Sequence, residues 1–255
     1  MQKRAFKEFK VRKILISTIV RDREQHLPTW FEQIEKFVQQ LPNIEFSLSV
    51  YENDSIDNSI QIISQCVVPK YFKFFNFKHE QINTEMYDSA RDRPDRVKNL
   101  AKARNKTIFS PAIDLNYFDD ILVIEPDIGY ETKDALKIIN YEGVGLIPDV
   151  YSGISVAIRD GRKLFYDSWA TRRTSRERRG EVFPSFQTVP IREFWSTFNG
   201  FCIYNAEPFK KGVSFHWYNE RFGTFDCDTA VICERFRKHG YSKIYANQEV
   251  VFYHP

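Results

Sequence analysis

The chain has 255 residues, of which 42% are hydrophobic and 28% are charged, a composition typical of one folded globular domain. Its formal net charge of +3 at pH 7 is too small to indicate a nucleic-acid partner. No apolar run reaches roughly 18 residues, so the sequence predicts no transmembrane segment. We therefore expect a soluble, cytoplasmic protein, or a protein of the Golgi lumen if this is a truncated form of an anchored enzyme.

Apolar runs and helical periodicities alternate along the first half of the chain. They predict strands at 13–20, 46–51, 71–77 and 121–124, and helices at 27–40, 59–66, 95–109 and 132–141. This alternation favours an α/β fold in which helices flank a mixed, mainly parallel central sheet.

The second half of the chain is predicted from shorter signals. Strands are expected at 143–147, 197–204, 243–246 and 250–253, and a helix should run from about Asp228 to His239. Between residues 160 and 193 lies a basic loop, in which five arginines fall within eight residues: Arg172, Arg173, Arg176, Arg178 and Arg179. Such a loop is either a solvated surface loop or a lid that handles phosphate or faces an acceptor.

The central strand runs directly into acidic residues. Residues 121–124 are branched aliphatics, the pattern of a strand covered on both faces. Pro126 cannot donate to a sheet ladder, so the strand should end before it. Glu125 and Asp127 are then expected at the carboxyl end of a central strand, where open α/β sheets bind ligands. Their oxygens suit Mg²⁺ or Mn²⁺; the alternative is that both acids cap a loop.

Two further acidic clusters follow predicted elements. Residues 52–59 form a polar turn after the second strand, in which Asp57 or Asn58 can cap the next helix. Asp226 and Asp228 both lie where the last helix needs an N-cap, so we expect one of them to be the cap. The turn at 52–59 and the acids after the central strand should face one crevice.

Several common motifs are missing from the sequence. It contains no Walker loop and no GxGxxG, which weakens kinase, NTPase and dinucleotide-binding interpretations. The four cysteines form no CxxC pair and no zinc-spaced cluster. We expect buried thiols, with one disulfide as the alternative in an oxidising compartment. The remaining set of acids and arginines could hold a sugar nucleotide, with a metal ion at the diphosphate.

Four segments of the chain resemble a known family. They are 50–55 (VYENDS), 100–105 (LAKARN), 166–172 (YDSWATR) and a tail from Asn199 through Asp228 to Asn247 and Tyr253. In this order they resemble the capsule-associated mannosyltransferase family of cryptococcal type. The resemblance implies a single GT-A (Rossmann-like) domain over residues 1–255, a nucleotide-sugar donor such as GDP-mannose, a divalent metal ion and retention of the α configuration.

The resemblance also assigns roles to individual residues. The predicted donor contacts are Glu52, Asp54, Arg104 and Asn105. The predicted ligands of Mn²⁺ or Mg²⁺ are Glu125, Asp127 and His254, although the family more often has Asn-Asp where this chain has Glu-Pro-Asp. The predicted catalytic residues are Asp167 and Asp228.

We therefore expect a metal-dependent glycosyltransferase that moves mannose from GDP-mannose to a hydroxyl of a glycan acceptor. Residues 13–130 form the predicted nucleotide-sugar half and 131–255 the acceptor half. The alternatives are a catalytically inactive GT-A protein that binds glycans and a nucleotidyltransferase.

Overall fold

A computed structural model describes residues 11–66, 71–85, 93–180 and 190–255. The helices are α1 (Leu27–Gln39), α2 (Ser59–Gln65), α3 (Pro94–Ile108), α4 (Thr132–Ile139), α5 (Glu207–Lys210) and α6 (Asp228–Lys238). The strands are β1 (Arg12–Val20), β2 (Ile44–Asn53), β3 (Phe75–Glu80), β4 (Asp120–Ile124), β5 (Val150–Arg159), β6 (Arg162–Phe165), β7 (Ile191–Glu193), β8 (Phe201–Asn205), β9 (Tyr218–Asn219), β10 (Thr224–Phe225) and β11 (Ile244–His254).

Within the described residues, nine strands form one mixed sheet in the order β3-β2-β1-β4-β8-β5-β11-β7, with β6 paired to β5. The four strands of the first half, β1 to β4, pair with one another in parallel. The direction changes where β4 pairs with the antiparallel β8. The carboxyl end of β4 therefore lies at the junction of the parallel and antiparallel parts, and the predicted α/β fold with a mainly parallel centre is confirmed.

Helices cover both faces of the sheet because its central strands are buried on both sides. Ile14 and Ile16 of β1 pack into a core with α1, α2 and α4, whereas Leu15 between them packs into the core under α3, α5 and α6. Alternate residues of a strand point to opposite faces, so one aliphatic run supplies both cores. No helix in the described ranges combines the length and apolarity needed to cross a bilayer.

The helices and most strands of the first half lie within a few residues of their predicted positions. The third strand is an exception, because β3 begins at Phe75 and leaves Tyr71 outside the sheet. The two predicted last strands are one strand, β11, whose register against β5 shifts between Ala246 and Val251. Cys202, Cys227 and Cys233 are free thiols.

The prediction of a strand at 143–147 was wrong, because these residues form a turn. Tyr141, Gly143 and Gly145 have φ angles of 54°, 84° and 69°, so the chain turns here after α4. Leu146 and Ile147 are exposed, which means that their side chains contribute little to the core. The alternation of glycines and aliphatic residues suggested a strand, but both glycines adopt the left-handed backbone conformation, which ends regular pairing.

Candidate active site

A cavity of about 560 Å³ opens at the carboxyl ends of β1 and β4. Its floor includes Glu125 and Asp127, which directly follow β4, and His254, the last residue of β11. The strand β4 ends at Ile124, as Pro126 predicted. Arg104, Asp167 and Asp228 also line the cavity, so the structure brings six of the nine predicted site residues together there.

Glu125, Asp127 and His254 form a group that could hold a metal ion, because one candidate ligand atom from each lies within 4.8 Å of the others. The Nε2 atom of His254 is 3.9 Å from Oε2 of Glu125 and 3.9 Å from Oδ1 of Asp127. These distances exceed the range of a hydrogen bond. The imidazole therefore does not hydrogen-bond to either carboxylate, and the three groups leave space between them for an ion.

Two arginines hold the other oxygen of each carboxylate. Nη2 of Arg104 lies 2.9 Å from Oε1 of Glu125, and Nε of Arg23 lies 3.2 Å from Oδ2 of Asp127. Each carboxylate thus has one oxygen on an arginine and the other turned towards His254. Two carboxylate oxygens and one imidazole nitrogen suit Mn²⁺, and a site of this size leaves positions for phosphate oxygens, so the donor set fits the ion.

Backbone pairing delivers His254 to this site from a distant part of the chain. Gly129, two residues after Asp127, exchanges two backbone hydrogen bonds with Tyr253, of 2.8 and 2.7 Å. The imidazole of His254 also stacks on the ring of Tyr166, with centroids 3.7 Å apart and planes inclined by 14°.

Arg104 joins the predicted metal ligands to the start of α6. Its Nε donates to Oδ2 of Asp228 over 3.0 Å, and both residues are buried. Burial by itself lowers the pKa of Arg104, but Asp228 and Glu125 outweigh it and hold that pKa above its usual value. Burial raises the pKa of Asp228, and the charge of Arg104 opposes this. The guanidinium therefore stays charged and fixes two carboxylates from different elements.

Asp167 has different surroundings. Its carboxylate accepts hydrogen bonds from the backbone N–H groups of Asn199 (2.7 Å) and Ala170 (3.3 Å). Burial raises the pKa of Asp167 to about 7, and the nearby charge of Glu125 adds to the shift, although the two backbone donors oppose it. A carboxyl group with this pKa can take up or release a proton near neutral pH.

The turn before β8 connects Asp167 to Glu125. Asn199 and Gly200 have φ angles of 60° and 74°, and Asn199 is buried. The N–H of Asn199 donates to Asp167, and the carbonyl of Gly200 accepts the N–H of Glu125 over 2.8 Å. A Cβ atom at Gly200 would lie 3.0 Å from Ile128 and 3.4 Å from Glu125, so a side chain here would strain the backbone and also require Ile128 to shift by a few tenths of an ångström.

The residues that line the cavity, among those the structure describes, do not include Glu52, Asp54 or Asn105. Glu52 is buried, where it accepts the N–H of Ser55 over 2.8 Å and contacts His79. Its predicted direct contact with the nucleoside is therefore not supported by the geometry.

Asp54 and Asn105 likewise face the protein. Asp54 accepts the backbone N–H groups of residues 82, 83 and 84 over 2.7 to 2.9 Å. Burial alone raises the pKa of Asp54, but hydrogen bonds from Thr84, Asn53 and Asn83 outweigh it and hold that pKa well below its usual value. Asn105 makes two 2.9 Å hydrogen bonds to the backbone of Phe215. Asp54 supports the rim of the cavity, because its hydrogen-bond partners Asn53 and Thr84 line it, whereas Phe215, the partner of Asn105, does not.

The start of α6 differs from the prediction that Asp226 or Asp228 caps it. The N-cap residue is Cys227, whose side chain makes no capping hydrogen bond, and Asp228 is the first helical residue. Asp226 accepts hydrogen bonds from Arg172 (2.7 Å) and Asn219 (2.8 Å) instead. The carboxylate of Asp226 binds the buried guanidinium of Arg172 and does not cap the helix, because a hydrogen bond between two charged groups is stronger than a capping hydrogen bond to a backbone N–H group.

The described part of the basic loop is not simply solvated. Arg172 is fully buried, and Arg173 pairs with Glu177 over 2.9 Å. Arg179 lies over the ring of Phe225, 4.2 Å from its centroid. Arg172, through Asp226, and Arg179, through Phe225, hold the loop against the protein beside Trp169 of the cavity. Residues 181–189 lie outside the described part.

Sequence reasoning missed four residues of this site: Arg23, Tyr166, Asn199 and Gly200. Arg23 follows β1, the parallel neighbour of β4, and parallel neighbours end at the same edge of a sheet, so its position was available from the topology. The Asn-Gly pair is a recognised signal for left-handed backbone. The stacking of Tyr166 on His254 depends on the pairing of β5 with β6 and β11, which no local signal predicts.

The sheet, with its acidic pair after β4 and its cavity at the carboxyl ends of parallel strands, defines the GT-A glycosyltransferase fold. Two solved structures are similar to it. TarS 1-349 from S. aureus gives a TM-score of 0.53 at 14% identity, covering 95% of this chain and 60% of that one. Mannosyltransferase PcManGT from Pyrobaculum calidifontis, solved with GDP-Man and Mn²⁺, gives 0.54 at 12% identity, covering 96% of this chain and 57% of that one. The chain thus spans less than two thirds of either.

Residues 13–234 match the family described as Cryptococcal mannosyltransferase 1, and the chain belongs to that family. The resemblance inferred from four short segments is therefore confirmed. No curated protein matches the chain by sequence.

Proposed function

We propose that the chain is a metal-dependent glycosyltransferase that transfers mannose from GDP-mannose to a glycan hydroxyl, with retention of configuration. The observation that carries the proposal is the convergence of Glu125, Asp127 and His254 on one point of a cavity that also contains Asp167 and Asp228. Family membership supports the transfer of mannose. The complex of PcManGT with GDP-Man and Mn²⁺ supports the choice of donor and ion.

In this proposal Glu125, Asp127 and His254 hold Mn²⁺ or Mg²⁺. When bound, the ion supplies positive charge that offsets the charge of a departing diphosphate. Arg104 and Arg23 keep one oxygen of each carboxylate occupied, so that the other oxygen stays directed at the ion. This preorganisation is what electrostatic catalysis requires, because no group then has to reorient during the reaction.

The two aspartates have separate roles. Asp228 is fixed by Arg104 and would face the positive charge that develops at the anomeric carbon, or orient the acceptor. Asp167 has a pKa of about 7 and would hydrogen-bond the acceptor hydroxyl and take its proton. Residues 13–130 would bind mainly the donor and residues 131–255 mainly the acceptor. Asp54 would act on the donor indirectly, by fixing Asn53 and Thr84 at the rim of the cavity.

The test is a thermal-shift panel of GDP, UDP, ADP and CDP, each with and without Mn²⁺. A ligand that binds only the folded state stabilises it by about 2.7 kcal/mol at a hundredfold excess over its Kd. We expect a shift that depends on Mn²⁺ and is largest for GDP. Asp127→Asn should lose the Mn²⁺-dependent part of the shift, whereas the control Glu131→Gln, at an exposed acid that follows the site, should keep it.

Turnover is then measured with GDP-mannose and a panel of glycan acceptors. Release of GDP together with a mannosylated product, lost in Asp127→Asn, supports the transferase. A chain that binds glycans but shows no metal-dependent affinity for any nucleoside diphosphate would be the inactive binding protein instead. Release of pyrophosphate from a nucleoside triphosphate would identify a nucleotidyltransferase.

A further inference from the structure

We propose that Tyr166 is a positioning residue that directs the imidazole of His254 towards the two carboxylates of the metal site. This inference rests on the proposed metal site, and it assigns to Tyr166 a role in the affinity for the ion. Tyr166 would act through His254, without contacting the ion itself.

The two rings meet because both are anchored to β5. The N–H of Tyr166 donates to the carbonyl of Ser155 over 2.9 Å, and His254 lies opposite Ala157 in the parallel ladder. Ser155 and Ala157 are two residues apart on one strand, so their side chains point to the same face. The stack is therefore built from the loop after β6 on one side of β5 and from the end of β11 on the other side.

The stack fixes a ring that its neighbouring acids leave free to turn. Nε2 of His254 is 3.9 Å from both Glu125 and Asp127, beyond hydrogen-bonding distance, so these acids do not set the tilt of the ring. With centroids 3.7 Å apart and planes only 14° from parallel, Tyr166 restricts rotation of the imidazole out of its plane. Groups that orient a ligand ring contribute to metal affinity without binding the metal.

Three variants at position 166 separate the ring from the hydroxyl group. Tyr166→Phe keeps the stack, Tyr166→Leu keeps bulk without a ring, and Tyr166→Ala removes both. Tyr218→Ala is the matched control, because Tyr218 is also 37% exposed but does not line the cavity. Asp127→Asn is included as a variant that should destroy the metal site.

The Mn²⁺ affinity of each variant of the chain is measured by electron paramagnetic resonance of the free ion. We expect about tenfold weaker binding for Tyr166→Ala and Tyr166→Leu, and wild-type binding for Tyr166→Phe and Tyr218→Ala. In parallel, proton NMR of the metal-free protein reports the ring-current shift of His254. That shift should be present in the wild type and Tyr166→Phe and absent in the other two variants at this position.

The outcomes distinguish a failure of the role of Tyr166 from a failure of the metal site. If Tyr166→Ala binds Mn²⁺ as the wild type does while Asp127→Asn does not, the role of Tyr166 is overturned and the metal site stands. If Tyr166→Phe weakens binding as much as Tyr166→Ala, the hydroxyl rather than the stack is responsible, and the inference is again overturned. If the wild type and Asp127→Asn are indistinguishable, the metal site itself fails and the inference fails with it.

Discussion

Arg104 is 4% exposed, yet its guanidinium contacts carboxylates on two separate elements, Glu125 after β4 and Asp228 at the start of α6. A buried ion pair is weak evidence for net stability, but removing one partner leaves an uncompensated buried charge. Arg104 therefore has two consequences that can be measured separately, one for the stability of the fold and one for the geometry of the site.

We expect Arg104→Met to lower the free energy of unfolding by about 3 kcal/mol, because Asp228 then has no buried cation. Urea denaturation measures the change. The control Arg173→Met removes the exposed pair with Glu177, and should change stability by no more than about 1 kcal/mol. Equal midpoints for Arg104→Met and the wild type would mean that Asp228 is neutral in the folded protein.

Asp167 should make the stability of the wild type depend on pH in a particular direction. Its folded pKa of about 7 lies above the unfolded value of about 3.9. The folded state therefore favours the protonated form, and stability is lost progressively as pH rises from about 4 through 7.

Asp167→Asn removes this titration while its amide oxygen can still accept the N–H of Asn199. We expect the variant to gain thermal stability relative to the wild type between pH 5 and pH 8, measured in EDTA to exclude metal effects, and to lose activity. Asp114→Asn, at a surface turn, serves as the control and should leave the pH profile unchanged. A constant difference between Asp167→Asn and wild type at all pH values would show that the carboxyl group titrates normally.

At the residue scale, sequence reasoning located the acids that sit directly after a buried strand. Glu125 and Asp127 were predictable because the aliphatic run and Pro126 together define where β4 ends. Glu52 and Asp54 occupy a comparable place at the carboxyl end of β2, yet their carboxylates bind nearby backbone N–H groups and His79. Whether an acid at a strand end faces a ligand or its own loop depends on donors that only the folded chain assembles.

Among the elements, the turn at Asn199 and Gly200 has the strictest steric requirement in the site. Gly200 and Gly212 both have positive φ, at 74° and 82°, but only Gly200 is crowded. A Cβ at Gly212 would meet nothing within 4 Å, whereas one at Gly200 would approach Ile128 and Glu125. The two glycines therefore distinguish a conformational requirement from a spatial one.

We expect Gly212→Ala to cost about 1 kcal/mol, from left-handed backbone alone, and to leave activity unchanged. Gly200→Ala should cost more and should also reduce activity, because Glu125 or Ile128 must move to accommodate the methyl group. Chemical denaturation and initial rates with GDP-mannose provide the two measurements. Similar losses of stability in the two variants, with full activity in both, would rule out the steric role of Gly200.

The elements also show where local patterns are insufficient. Helices were predicted within a few residues because their apolar periodicity and breakers are local. The strand predicted at 143–147 failed because glycine permits a turn in a stretch whose aliphatic content suggested a strand. The last strand was predicted as two pieces because the irregularity between Ala246 and Val251 interrupts the alternation, although β5 pairs with both pieces.

For the whole molecule, the proposed donor and acceptor halves do not correspond to separate structural units. β4 lies in the first half and pairs with β8 of the second, so the sheet is continuous across the boundary. Tyr130 at the end of the first half packs against Phe201 and Phe252, with ring centroids 5.0 and 6.3 Å away. The candidate metal site likewise combines Asp127 of the first half with His254 of the second.

We therefore expect the protein to unfold in one cooperative transition, with the calorimetric enthalpy equal to the van't Hoff enthalpy. Adding GDP and Mn²⁺ together should raise the midpoint of that same transition, because the ligands bind a site that exists only when both halves are folded. Asp127→Asn should keep the single transition and lose the Mn²⁺-dependent increase. Two resolved transitions, of which only one responds to the ligands, would mean instead that the halves fold independently and that the continuous sheet does not couple them.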